Sequence, residues 1–385
     1  MGLGFKSTIT RARRRVLFLA LAATATLALG PERFAAAPAD GSRTAAILAA
    51  IKSRVDEKKS IGMVVGTIDA DGGSSVASYG DPGSGALPLD ADSVFEIGSI
   101  TKVFTATLLA DMVERGEVKL VDPVSKYLPS TVRVPERDGR QITLLELATQ
   151  TSGLPRLPDN LRPRDASNPY ADYSVEQLYA FLGRHRLTRD IGSRYEYSNL
   201  GVGLLGHALA RRAGKTYEAI LKERILRPLS MEHTGIALTP WMKAHLVRGH
   251  DESGKLAANW DLPTLAGAGA LRSTMNDMLR FARANVTPPD GRLQRVMQQA
   301  HGARVTAGRP DMSIGLAWHI RHFDTHDIVW HNGGTGGYRT WMGLDEKRKL
   351  AAIVLTNSQQ GHDDLGYELL KIEDRDPIAA AASGR

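Results

Sequence analysis

Phe95-Glu96-Ile97-Gly98-Ser99-Ile100-Thr101-Lys102 is the stretch on which the reading of this chain turns. It sets a hydroxyl and an amine three residues apart where an apolar helical pattern begins. At 3.6 residues per turn, positions i and i+3 share a face, so the Lys102 amine lies over the Ser99 hydroxyl. A serine hydroxyl is a weak nucleophile until a neighbouring base takes its proton. A lysine held partly out of water and neutral is such a base, or relays to one. Taken alone, the pair also fits a plain helix start, with Ser99 as N-cap and Lys102 solvated.

Two further motifs favour the chemical reading. Tyr197-Ser198-Asn199 is the only Y-x-N in the chain, and His331-Asn332-Gly333 follows it, continuing as Gly334-Thr335-Gly336-Gly337. The order S-x-x-K, Y-x-N, basic residue-x-Gly resembles that of the serine β-lactamase and DD-peptidase superfamily. The octet resembles the active-site signature of class C β-lactamases. So do residues 94–128 around it, residues 144–155 (LLELATQTSGLP) and residues 197–209 (YSNLGVGLLGHAL). Relatives of that family include DD-carboxypeptidases, murein endopeptidases, D-aminopeptidases and some esterases. Class C enzymes carry Lys-Thr-Gly as third motif. His331-Asn332-Gly333 is instead similar to the H-x-G of some DD-peptidases and D-aminopeptidases.

The resemblance implies a secreted serine hydrolase that forms an acyl-enzyme on D-Ala-D-Ala cell-wall peptides or on β-lactams. A carboxylesterase of the same fold, or a penicillin-binding sensor that barely turns over, are the alternatives. Ser99 is then the nucleophile, and Lys102 or Tyr197 the base. A phenol titrates near 10 in water, so Tyr197 needs nearby cations to serve. Asn199 offers an amide to the substrate and holds Lys102. By resemblance, His331, Asn332 and Gly333 lie along the substrate and Gly334 gives the second oxyanion N–H. A histidine titrates near 6.5, so a His331 that meets the substrate carboxylate changes charge through the working pH range. Arg321 and Arg339 are the next candidates for that carboxylate.

Composition narrows the field. The 385 residues carry a formal charge of +7, of which +5 lies in residues 1–39. A nearly neutral remainder, with no basic stripe, gives no footprint for nucleic acid. Residues 11–15 are basic, residues 16–30 apolar, and Ala37-Pro38-Ala39 fits a cleavage site. This reads as a signal peptide over 1–39, for export to the periplasm or medium. The Arg13-Arg14-Arg15 run also fits a twin-arginine signal. The apolar run falls short of the roughly 20 residues that span a bilayer. Cysteine is absent, which excludes a thiol nucleophile, thiolate metal sites and disulfides. No cofactor is expected, and no partner beyond a small-molecule or peptide substrate. The chain is expected to be a monomer.

Periodicity places helices over 43–55, 101–115, 174–184, 200–213, 217–226 and 278–286, the last opened by a capping box at Thr274. Residues 62–69 and 75–80 read as a hairpin. Residues 315–321, 327–332, 338–344 and 350–356 read as strands, and 364–373 as a closing helix. Strands at both ends with helices between predict an α+β fold. One antiparallel sheet is built from both chain ends, flanked by helices, with an all-helical lobe inserted over about 99–300. The catalytic domain spans 40–375 and the tail 376–385 is expected to fray. Arg156, Arg162 and Arg164 in the Pro-rich loop 154–169 are either rim cations or solvated surface. His319, His322, His326 and His331 resemble a metal cluster in spacing, but alternation sends strand residues to different faces. Neither H-E-x-x-H nor G-x-S-x-G occurs.

Overall fold

The computed structural model of the protein describes Met1 and residues 41–371; the expected leader after Met1 (2–39) and the tail (376–385) lie outside them. In chain order the first elements are α1 (Gly41–Asp56), β1 (Gly62–Ile68), β2 (Ser74–Gly80), β3 (Val94–Glu96) and α2 (Thr101–Glu114). Next come β4 (Glu136–Arg137), β5 (Arg140–Gln141), α3 (Leu144–Ala148), α4 (Val175–Arg184), α5 (Asn199–Ala213), α6 (Tyr217–Leu221) and α7 (Pro240–Ala244). Then follow β6 (Arg272–Thr274), α8 (Met275–Val286), α9 (Arg292–Gln299), β7 (Val305–Thr306), β8 (Met312–Ile314) and β9 (His319–His322). The last are β10 (Asp327–Gly334), β11 (Arg339–Asp345), β12 (Leu350–Thr356) and α10 (Asp363–Lys371).

Eight strands form one antiparallel sheet in the order β2-β1-β12-β11-β10-β9-β8-β7. The two chain ends meet where β1 pairs with β12, one strand in from the β2 edge, with Met63 opposite Thr356 and Ile68 opposite Ala351. Every residue of β1 and β12 is buried, because helices cover both faces. Successive side chains point to opposite faces, so each strand feeds two cores. Met63, Val65, Ala352 and Val354 pack with Ile47 and Ile51 of α1 and Leu365 and Leu369 of α10. Val64, Ile353 and Leu355 join the larger core with α2, α5 and α8.

Helix α2 is buried throughout from Thr101 to Met112. The sequence suggests a single inward face at Val103, Phe104, Leu108 and Met112. Helices α5 and α9 and the turns at residues 98–100, 222–226 and 266–268 pack around α2, so its remaining faces are covered too. Its one buried carboxylate, Asp111, is held by Arg115 and Arg224.

Two local expectations change. The strand expected over 315–321 is a hairpin of β8 and β9, pairing Ile314 with His319. A Cβ on Gly315 would lie 2.4 Å from the Ala300 carbonyl, and Ala317 has φ +60°, so the chain turns there. Thr274 does cap α8, accepting from the Asp277 N–H at 3.2 Å, and the helix starts at Met275. The Asp277 carboxylate does not close the box; it takes the His233 N–H and the Thr234 hydroxyl instead.

Candidate active site

Ser99 sits in a single 3₁₀ turn, Gly98–Ile100, that runs into α2. The N-cap of α2 is Ile100, and no side chain caps it. The Ser99 hydroxyl is therefore free of the capping role that a bare helix start would give it. Gly98 has φ +50°, and a Cβ there would lie 2.6 Å from the Gly334 nitrogen. Only glycine allows both the conformation and that approach of β10 to the turn.

The Lys102 amine makes three contacts: 3.0 Å to Ser99 Oγ, 2.8 Å to Asn199 Oδ1 and 2.7 Å to the Ala268 carbonyl. The last two partners accept only. A neutral amine satisfies them with its two N–H bonds and turns its lone pair to Ser99, the one partner able to donate. Burial favours that neutral form and holds Lys102 well below its ordinary value, and Arg156 adds to the effect.

Tyr197 neighbours Ser99, which favours the ionised phenol. The Lys102 amine stands 4.7 Å from its ring centre and the Arg156 guanidinium 5.0 Å. Burial pushes its phenol well above the usual range, outweighing the Ser99 hydrogen bond and Arg156. The phenol is thus a proton donor at neutral pH. Asn199 bridges Lys102 and Tyr170, donating from Nδ2 to the Tyr170 hydroxyl at 3.1 Å.

Residue Gln150 fixes the Tyr197-Ser198-Asn199 turn. It takes φ +61°, its carbonyl accepts from the Glu196 N–H, and its Oε1 accepts from the Ser198 N–H at 2.7 Å. The Ser198 hydroxyl caps α5 through the Gly201 N–H and donates to the Pro155 carbonyl. Gln150 carries no signal of its own in the sequence beyond lying in the LLELATQTSGLP stretch.

The third motif departs from expectation. His331 is fully buried, with Nδ1 2.6 Å from the Asn332 carbonyl. Burial, then His319 and Lys102, hold its imidazole well below the ordinary value. Burial and these neighbours favour the neutral ring, against the expectation of a cation that titrates through the working range. Asn332 points to the other side of the sheet and donates to Asp363 Oδ2 at 2.7 Å, so strand alternation removes it from the substrate side. Gly333 packs against the octet: a Cβ there would lie 2.0 Å from the Ile97 carbonyl. Its role is this close approach. Gly334 stays beside Ser99 through Gly98.

The four histidines split. His319 and His331 meet, with ring centres 5.0 Å apart, because Trp330 pairs with His319 across β9 and β10. His319 also bonds the Tyr195 hydroxyl at 2.8 Å, and burial lowers its pKa to about 4. His322 and His326 lie in the hairpin at the far end of those strands. Among the described residues, no three His, Asp or Glu side chains are grouped to hold a metal ion. Tyr170 and Trp260 form an aromatic pair 5.5 Å apart beside Asn199. The buried Glu96 anchors this wall by accepting from the Trp260 N–H at 2.9 Å and pairing with Arg272 at 3.2 Å.

The family described as Beta-lactamase matches residues 47–375. D-alanyl-D-alanine-carboxypeptidase/endopeptidase AmpH of Escherichia coli (strain K12) is 33% identical over 318 residues, covering 76% of this chain and 80% of that protein. A protein of the same organism named Beta-lactamase is 32% identical over 306 residues, covering 70% and 77%. A crystal structure of a β-lactamase/D-alanine carboxypeptidase from Yersinia pestis, complexed with citrate, superposes with TM-score 0.74 at 25% identity, covering 86% of this chain and all of that one.

Proposed function

The chain belongs to the Beta-lactamase family and is a serine hydrolase, and from that premise we propose that it acts on D-Ala-D-Ala peptides of the cell wall, with β-lactams as mimics. The single observation that carries the reading is the buried Lys102 amine 3.0 Å from Ser99 Oγ, with both other contacts made to acceptors.

Acylation runs as follows. Ser99 Oγ bonds to the scissile carbonyl carbon while its proton passes to Lys102 Nζ. Negative charge on the carbonyl oxygen falls to the Ser99 and Gly334 N–H groups. The carbon–nitrogen bond breaks, Tyr197 gives its phenolic proton to the leaving amine, and Lys102 returns a proton to Tyr197. In deacylation water attacks the ester, its proton goes to Lys102, and Ser99 Oγ takes it back on leaving. Asn199 holds Lys102 throughout and can turn its second amide hydrogen to the substrate.

A carboxylesterase is the second reading, favoured by one observation: the third motif offers a neutral, buried His331 in place of a permanent cation. A panel of nitrocefin, N-acetyl-D-Ala-D-Ala and 4-nitrophenyl butyrate separates these. The peptide is expected to be cleaved, with an adduct of penicillin on Ser99 by mass spectrometry. Turnover of the butyrate alone would favour the esterase, and an adduct on another serine would sink the site. The leader reading over 1–39 supports an exported enzyme, which N-terminal sequencing near Asp40 tests. No helix among the described residues is long and apolar enough to cross a membrane. Sedimentation of the mature chain tests a monomer.

A further inference from the structure

We propose that Arg156 is the residue through which this site binds an anionic group of its substrate, taking the place that a third-motif cation would fill. The inference rests on the acyl-transfer reading above.

The other cations near Ser99 are committed elsewhere. His331 is buried with its Nδ1 on the Asn332 carbonyl. Lys102 is fully engaged with Ser99, Asn199 and Ala268. Arg272 is buried on Glu96. Arg321 pairs with Asp311 at 2.8 Å. Arg339 lies over the outward side of Gly334, the side to which Asn332 also points, and donates to the Thr335 carbonyl at 3.1 Å. None of these has a free head toward Ser99.

Arg156 differs in three ways. Its side chain is exposed, and among the described residues it forms no ion pair. Its backbone is pinned to the site: its carbonyl accepts from the Leu200 N–H at 3.2 Å, and the Pro155 carbonyl accepts from Ser198 at 2.6 Å. Its guanidinium stands 5.0 Å from the centre of the Tyr197 ring. A fixed backbone and an unpaired planar fork suit bidentate capture of a carboxylate with little ordering cost. Its charge is also felt at Lys102, Tyr197, Tyr195 and Tyr170, the groups that line the cleft. An anion seated on Arg156 cancels part of its repulsion of a Lys102 cation, so an anionic substrate strengthens the base that attacks it.

The carboxylate can come from the acyl side or the leaving side of the scissile bond. Three esters distinguish them: mono-4-nitrophenyl succinate (acyl side), 3-(butyryloxy)benzoate (leaving side) and 4-nitrophenyl butyrate (neither). Binding is measured by calorimetry on Ser99→Ala protein, which cannot turn over. Adding Arg156→Ala is expected to weaken one anionic ester, relative to the neutral one, on the order of tenfold. Arg156→Lys should recover part of this and Arg156→Glu should deepen it. In the active chain, the kcat/KM ratio of anionic to neutral ester should fall likewise. The acid limb of the neutral-ester profile should move to higher pH as Lys102 loses a repelling neighbour. If Arg156→Ala moves all three esters alike, or none, Arg156 is not the anion site. Failure of penicillin to label Ser99 in the unmutated chain would instead remove the acyl-transfer reading, and the binding result would still decide Arg156.

Discussion

Lys102 and His331 are two buried bases a few residues' width apart, and their surroundings differ in kind. Lys102 is ringed by three polar partners, two of which only accept. His331 has one partner, its neighbour's carbonyl, and its Nε2 has none among the described residues. Burial disfavours the charged form of both and lowers both from their ordinary values. At Lys102 the two acceptors leave the lone pair of a neutral amine turned to Ser99; at His331 the ring packs on His319 and Tyr197. Burial alone therefore does not make a catalytic base. The partners that remain after desolvation decide what the group can do.

The largest effect that could break this contrast is at Lys102. Lys102→Ala should cost on the order of 10²–10⁴ in acylation rate, read by stopped-flow with nitrocefin or an ester. Tyr197→Phe should fall in the same range, and the double variant should be far less than additive in free energy. Near-normal acylation by Lys102→Ala would erase the distinction drawn here.

The second test is acid stability. His319 and His331 have folded values depressed below their unfolded ones, so between about 6.5 and about 4 the unfolded chain binds protons that the folded chain does not. Unfolding free energy then rises with pH in that window. The stability from these groups is complete above pH 6.5 and is lost as pH falls toward about 4. Each group that titrates fully only on unfolding contributes roughly 1.4 kcal/mol per pH unit. Urea titrations at pH 5 and 7 should show the loss, and His319→Gln should shrink it. A pH-independent midpoint would mean that the ring is not buried neutral.

A smaller effect separates the two faces of β10. Asn332→Ala should lower stability by about 1 kcal/mol by freeing the Asp363 carboxylate, with little change in KM. A large KM change with unaltered stability would return Asn332 to the substrate side. The smallest expected effect concerns His331 itself. The Kd of a carboxylate-bearing substrate on Ser99→Ala protein should change by less than about twofold between pH 5.5 and 7.5, because a neutral imidazole has no charge to lose there. A steep weakening through pH 6.5 would show that His331 is charged and faces the ligand.

The first motif was readable because helical spacing is local. Positions i and i+3 must meet, and Ser99 and Lys102 do. The sheet joining both chain ends was readable too, since runs such as residues 350–356 are apolar enough to demand two covered faces. The helix start at Thr274 follows from capping chemistry. What sequence could not give was the environment of side chains brought together from far apart. The meeting of His319 with His331 depends on the register of β9 against β10. The turning away of Asn332 depends on which face of β10 meets the octet. Gln150 matters only because residues 196–198 fold against it.

By itself, then, the sequence placed Ser99 beside Lys102, which rests on short-range helical geometry, and pointed to the fold through its strand and helix order together with its resemblance to a known family. Only the tertiary structure decided which groups are charged and which face the cleft. Burial favours the neutral Lys102 amine, the protonated Tyr197 phenol and the neutral His331 ring, and the exposed Arg156 guanidinium stands 5.0 Å from the Tyr197 ring centre. The physical reason is that ionisation follows desolvation and the charges nearby, and both are properties of packing between distant segments.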